Sequence, residues 1–201
     1  MTAPDPKDTL HRYLQAGREA MLWKLDGLSE YAARRPLTPT GTNLLGLVKH
    51  LTGCEAGYFG DTFGRPLLDT LPWLRDLDNA DADPNVDMWA RADESRAEIV
   101  GRYQQVCEHA DTTIRELALD SAGLVPHWPS DRANTTLHHI LVHMTAETHR
   151  HAGHADIVRE LLDGAVGRHP GDGSIAPGDQ WREHRDRVER AAREAAGGDA
   201  P

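Results

Sequence analysis

Apolar residues recur at helical spacing along most of the chain, with no strand-like alternation between them. Four long segments carry the pattern. The first spans about Lys7 to Ala33, where Leu10, Leu14, Met21, Leu25 and Leu28 step by three, four or seven, and Pro36 and Pro39 end it. The second opens after Thr42, a good cap, and reaches about Phe59 with Leu44, Leu47, Val48, Leu51 and Tyr58 on one arc. A connection from Gly60 to Asp83 follows, rich in Pro, Gly and Asp and anchored by Phe63, Leu67, Leu68, Trp73 and Leu74. The third segment opens near Pro84 and runs to about Leu119 on a stripe of Ile99, Tyr103, Val106, Ala110 and Ile114. The fourth, capped by Asn134, reaches about Asp163, where Gly164 and Gly167 stop it. Beyond a Gly/Pro-rich linker, Gln180 to Ala196 reads as a charged helix with a weak stripe of Trp181, His184 and Val188. The pattern predicts an all-α fold: an antiparallel four-helix bundle over residues 1–166, with a linker and C-terminal helix over 167–201 packed on it or trailing it.

Length and charge narrow the function classes. A chain of 201 residues can bury well over half its unfolded surface in one core. Its formal net charge of -10 argues against nucleic acid and anionic membrane surfaces, which need a basic face. No apolar run approaches the roughly 18 residues of a membrane span. The opening MTAPDPKDTL carries no apolar signal segment, so a cytoplasmic protein is expected. Cys54 and Cys107, far apart in sequence, suggest free thiols.

The candidate chemistry lies in the fourth helix. Between His138 and Glu160 it carries six histidines and two glutamates. With Glu147 at zero on a helical wheel of about 100° per residue, His151 falls near +40°, His143 near -40° and His154 near -20°. Ile140, Met144 and Val158 share that sector, while His138 and His149 fall opposite and read as solvated. A carboxylate turned inward without a partner costs several kcal/mol. Imidazoles could satisfy it, and a divalent metal would do so more fully. Glu147 and His151 are one turn apart, a spacing compatible with one ion, although a purely structural polar cluster has the same spacing.

A further ligand must come from elsewhere. His50, at the edge of the second helix's apolar arc, is such a candidate; a hydrogen-bonded histidine at the core edge is the competing reading. Gly46, Gly53 and Gly57 surround it, and glycines inside a helix suggest close approach by a neighbouring element or a ligand. Cys54, one turn beyond His50, could be a fourth ligand or a bystander, and reads better as a bystander. Trp73, Trp89 and Trp128 read as core or loop anchors, with one or two of them able to line a pocket. The acidic run DLDNADADPNVD reads as a solvated loop and helix start. Phosphate-binding, dinucleotide-binding and nucleophile-elbow motifs are absent.

Three blocks resemble the DinB-like superfamily: GTNLLGLVKHLTGCEAGYFGDTFGRP, DMWARADES and TTLHHILVHMTAETHRHAGHADIVRELLDGAVG. The resemblance runs from about Leu10 to Val166. It is strongest to the branch of mycothiol S-transferases and mycothiol-dependent maleylpyruvate isomerase-like proteins. It implies a four-helix bundle holding a divalent metal with one histidine from the second helix and two ligands from the last. Carried onto this chain, those ligands are His50, Glu147 and His151, and His50 owes most of its weight to the resemblance. A glutamate as the first of the last two ligands favours the thiol-dependent branch over the three-histidine pattern. The implied function is a divalent-metal-dependent S-transferase, using zinc or alternatively nickel or iron(II). It would activate mycothiol or a similar low-molecular-weight thiol, so the nucleophile is the cosubstrate and not a protein residue. The partners are then a small-molecule thiol and an electrophile; some relatives suggest a homodimer. His143 and His154 would orient or tune the site, and Arg150 or Arg159 would contact a polar thiol. A metal-dependent hydrolase and a non-catalytic metal-stabilised stress-response protein are the alternatives. DNA binding conflicts with the acidic charge.

Overall fold

In the computed structural model, which describes residues 4–67, 71–75, 83–172 and 179–197, the first amphipathic pattern is two helices and not one. Helix α1 (Pro6–Trp23) begins where Asp5 accepts from the backbone N–H groups of Lys7 and Asp8. The chain then turns through Gly27, whose φ of 74° suits a residue without a Cβ. Ser29 starts the short α2 (Glu30–Arg34) by capping Ala32 N–H. The apolar spacing of Leu25 and Leu28 runs on through this break because both still face the core.

Helix α3 (Leu44–Glu55) is capped by Asn43, one residue after the predicted Thr42, and continues as a π-helical turn over Ala56–Gly60. A four-residue helix α4 (Pro72–Arg75) lies in the connection that follows; Leu68 and the side chain of Leu74 fall outside the described residues. The third long helix begins later than the apolar spacing predicts. The stretch from Asp83 to Ser95 is turns and loop, and α5 (Arg96–Glu116) starts at a reciprocal cap between Ser95 and Glu98. Two short strands, β1 (Ala122–Leu124) and β2 (Asn134–Thr136), pair antiparallel where no strand was expected; three residues are too few to show alternation. Asn134 therefore lies in β2, and Thr136 caps α6 (Leu137–Asp163), which Gly164 ends at φ 77°. The chain divides into two units, Met1–Ala165 and Val166–Pro201, and the second carries the charged helix α7 (Asp179–Ala195).

Within the first unit, α1 packs on α6, and α3 packs on both α5 and α6. The α1–α6 contact is close at Gly17, where a Cβ would meet Thr148 Cγ2 at 2.9 Å. Leu44, Leu47, Val48 and Leu51 of α3, with Ile99 and Tyr103 of α5, are almost fully buried. At roughly 1.5–3 kcal/mol per buried large side chain, this core holds α3 against both neighbours and sets which face it turns to α6.

Candidate metal centre

The buried positions of α6 include Ile140, Leu141, Met144, Thr148, His151, Ala152, Ala155, Val158 and Arg159. On the wheel used above they centre near +80°, about a quarter turn from Glu147. Glu147 thus lies at the margin of the inner face, with 29% of its side chain exposed, and His151 lies inside it at 10%. His143 is half-buried and His154 exposed, outside the inner face.

From α3, His50 reaches the same place. His151 Nε2 lies 2.9 Å from Glu147 Oε1, and His50 Nε2 lies 3.6 Å from that oxygen. The rings of His50 and His151 stand edge-on with centroids 4.9 Å apart. One donor atom from each of His50, Glu147 and His151 falls within 4.8 Å of the others. Ligands of a tetrahedral zinc ion stand about 3.3 Å apart, so these spacings need small side-chain adjustments only. The outer ring nitrogens have partners too. His50 Nδ1 donates to Asp87 Oδ2 at 2.7 Å, and His151 Nδ1 lies 3.3 Å from His154 Nδ1. A neutral imidazole that gives its Nε2 lone pair to a cation must keep its proton on Nδ1, and both outer partners are positioned to accept it.

The charges agree with this geometry. The hydrogen bond to Asp87, followed by that to Cys54, pushes the His50 imidazole up to about 10. Burial and the neighbouring His50 push His151 down, which favours its neutral form. Burial alone would raise Glu147, but His151 and His50 together hold it below the usual carboxylate range. The trio thus holds a proton at His50 beside the Glu147 carboxylate, where a divalent cation could replace it.

Asp87 was not foreseen, because it sits in the acidic run read as a solvated loop. That loop is strapped onto α3. The fully buried Lys49 donates from Nζ to Val86 O at 2.9 Å, to Trp89 O at 3.0 Å and to both Glu94 carboxylate oxygens at 2.9 Å. Asn43 Nδ2 donates to Met88 O at 3.1 Å. The same carbonyl lies so close to Gly46 that a Cβ there would sit 1.8 Å from it. Gly46 therefore admits a backbone, as its position suggested, whereas a Cβ on Gly57 would meet nothing within 4 Å. The sequence signal for the strap was Lys49, one of three lysines in the chain, set among apolar residues where its charge needs acceptors.

The other predicted residues divide. Arg150 lines an opening of about 470 Å³ with the trio, Asn85, Asp87 and His154. Arg159 does not join it: its guanidinium is buried, donating to Lys24 O and Asp26 O at 2.9 Å and pairing with Asp163. His143 packs against Tyr58 and Trp128, with centroids 4.7 and 5.3 Å away. Cys54 Sγ lies 3.5 Å from His50 Nε2 and is a free thiol. Trp73 is buried, and Trp89 is an exposed loop residue whose Nε1 donates to Asp83.

No helix of the described residues is long and apolar enough to cross a membrane. Among curated proteins, none matches the chain. Compared with known families, residues 9–164 match the family model described as Mycothiol-S-transferase. The match takes in both helices that carry the trio, the strap that holds Asp87 and the strand pair between α5 and α6, so the chain belongs to the mycothiol S-transferase family.

Proposed function

We propose that the protein is a divalent-metal-dependent thiol S-transferase that conjugates mycothiol, or a similar small thiol, to an electrophile. The observation that carries this reading is the convergence of His50, Glu147 and His151 in a chain of this family. These residues are the metal ligands in this reading, carried by α3 and α6 of an antiparallel bundle whose long helices are α1, α3, α5 and α6. A bound cation with three protein ligands would keep an open position and hold a thiol in its deprotonated, nucleophilic form. Zinc suits the mixed nitrogen and oxygen donors best, with nickel or iron(II) as alternatives.

The chain's own groups do the positioning. Asp87 holds the His50 ring with Nε2 facing Glu147, and His154 does the same for His151. Glu147 supplies the one negative charge of the trio, leaving a divalent site net positive and suited to a thiolate. Arg150 places a cation at the mouth, where a polar thiol would enter. The free thiols Cys54 and Cys107 fit a reducing, cytoplasmic compartment and a detoxification role there.

Elemental analysis of protein purified without a metal-chelating tag should find about one divalent ion per chain. Turnover of a generic electrophile should then require both metal and thiol. Hydrolysis that proceeds equally well without thiol would replace this reading with a hydrolase. For Asp87→Ala, metal affinity should fall roughly 10- to 100-fold, read by competition with a chromophoric chelator. Unaltered affinity would remove Asp87 from the site.

A further inference from the structure

Two ladders of side chains face each other where α3 and its π-helical extension meet α6. His50, Cys54 and Tyr58 step along one at four-residue intervals, and His151, Glu147, His143 and His139 step along the other in the opposite direction. The rungs are the His50–His151 contact at 4.9 Å and the Tyr58–His143 contact at 4.7 Å. The metal trio occupies one end of this seam. At the other end lies a cavity of about 620 Å³, whose lining includes Trp128, Asp131, Arg132, Asn134, His139 and His143. The strand pair β1–β2 holds its outer wall in place, with Val125 N–H donating to Ala133 O and Trp128 N–H to Val125 O. Trp128 Nε1 donates to Tyr58 Oη at 3.2 Å, tying that wall to the π-helical turn, a feature often found at functional sites.

Nothing in the transfer reading uses this cavity, yet a transferase needs a second substrate beside the first. We propose that the Trp128 cavity is the acceptor site and that it takes a planar, π-conjugated electrophile. The proposal rests on the thiol-transfer reading and divides the two substrates between two openings. The opening beside Arg150, Asn85, Asp87 and His154 is charged and polar and suits the thiol. The second cavity combines the polar side chains of Asp131, Arg132 and Asn134 with three rings: Trp128 lies 5.4 Å from His139 and 5.3 Å from His143, at tilted or edge-on angles. Such walls leave ring faces and edges available to a flat guest, in the offset and edge-to-face contacts that aromatic groups prefer. The volume falls within the usual range for small ligands. His143 and Glu147 are one helical turn apart, about 6 Å along the axis, so an acceptor against His143 would stand within one turn of a sulfur held at the trio. The transfer forms one sulfur–carbon bond. The displaced electron pair leaves with a halide, or settles on a conjugated carbonyl oxygen and takes a proton from water; the proton lost by the thiol passes to solvent.

The test is equilibrium dialysis of 1,3-dinitrobenzene, a planar molecule that thiols do not displace, against the full-length protein. Wild type should bind it, and Trp128→Ala should bind it about five- to tenfold more weakly. Trp128→Phe, which keeps the ring but not the N–H, should restore most of the affinity. His151→Ala, which breaks the trio and leaves the cavity, should bind as wild type does. In turnover, Trp128→Ala should raise KM for 1-chloro-2,4-dinitrobenzene without raising KM for the thiol. If Trp128→Ala does not fold, His139→Ala at the exposed rim carries the same two measurements. Absence of binding to wild type, or equal binding by wild type and the wall variants, overturns the proposal. Should the dialysis results hold while no thiol supports turnover, the transfer reading falls and the planar-ligand cavity stands.

Discussion

Replacing His151 by alanine is expected to abolish metal retention and thiol transfer together while leaving the metal-free fold nearly as stable as wild type. The two halves of that expectation come from different energies. In the metal-free protein, His151 chiefly pairs with Glu147, whose side chain is 29% exposed. With His151 held neutral by burial and by His50, that contact is a hydrogen bond to a partly exposed carboxylate, which contributes about 1 kcal/mol, so melting should fall by only a few degrees. With metal at about a hundred times its dissociation constant, a binding-competent chain gains about 2.7 kcal/mol, or roughly 5–10 °C at this size. Wild type should show that shift on adding zinc, and His151→Ala should not. Metal uptake must displace the proton from His50, whose pKa is raised to about 10, so affinity should rise with pH through the neutral range. The sign follows from the competition: imidazolium cannot ligate, and raising the pH removes the competing proton. Thermal melts of both proteins with and without zinc, paired with elemental analysis, decide the matter. Equal zinc shifts in the two proteins would place the metal elsewhere.

Glu147 and His151 were legible as a pair because their relation is local: they share one helix, and a single angle per residue relates them, whereas His50, on another helix, came mainly from the family resemblance. The sector that Glu147 shares with Ile140, Met144 and Val158 is one side of the inner face, whose buried arc also runs through Thr148 and Ala155. Of the two histidines expected to orient or tune the site, His143 packs against aromatic rings and His154 meets His151 from the exposed side. Asp87 was illegible for a different reason. Its role depends on a loop pinned by Lys49 and on a carbonyl pressed against Gly46, and those contacts join residues about forty positions apart. The start of α5 carries a local signal of its own, since Ser95 and Glu98 have the spacing of a reciprocal cap. The break after α1 was harder to see, because the core rewards Leu25 and Leu28 for facing inward whether or not the backbone between them is helical.

Glu55→Ala should destabilise the protein by about 3–5 kcal/mol. Glu55 closes α3 and is almost fully buried, and its two oxygens accept from Arg18 Nε at 2.7 Å and Nη2 at 2.6 Å. Burial pushes the carboxyl up toward its neutral form, and the Arg18 guanidinium opposes that shift; the bidentate geometry is that of the ionised pair. Without Glu55, Arg18 would remain 2% exposed with Asp111 as its remaining carboxylate partner. The cost is thus that of a stranded guanidinium, more than that of a lost attraction. A second variant separates the two. In Arg18→Met/Glu55→Met both charges leave together, and Asp111 keeps its hydrogen bonds to His11 at 2.8 Å and Gln15 at 2.6 Å. Hydrophobic replacement of both partners is often neutral, so the double variant should recover most of the lost stability. Urea unfolding of the metal-free proteins gives all the free energies needed. A double variant as unstable as Glu55→Ala would mean that the pair's hydrogen bonds, and not the stranded charge, hold α1 against α3.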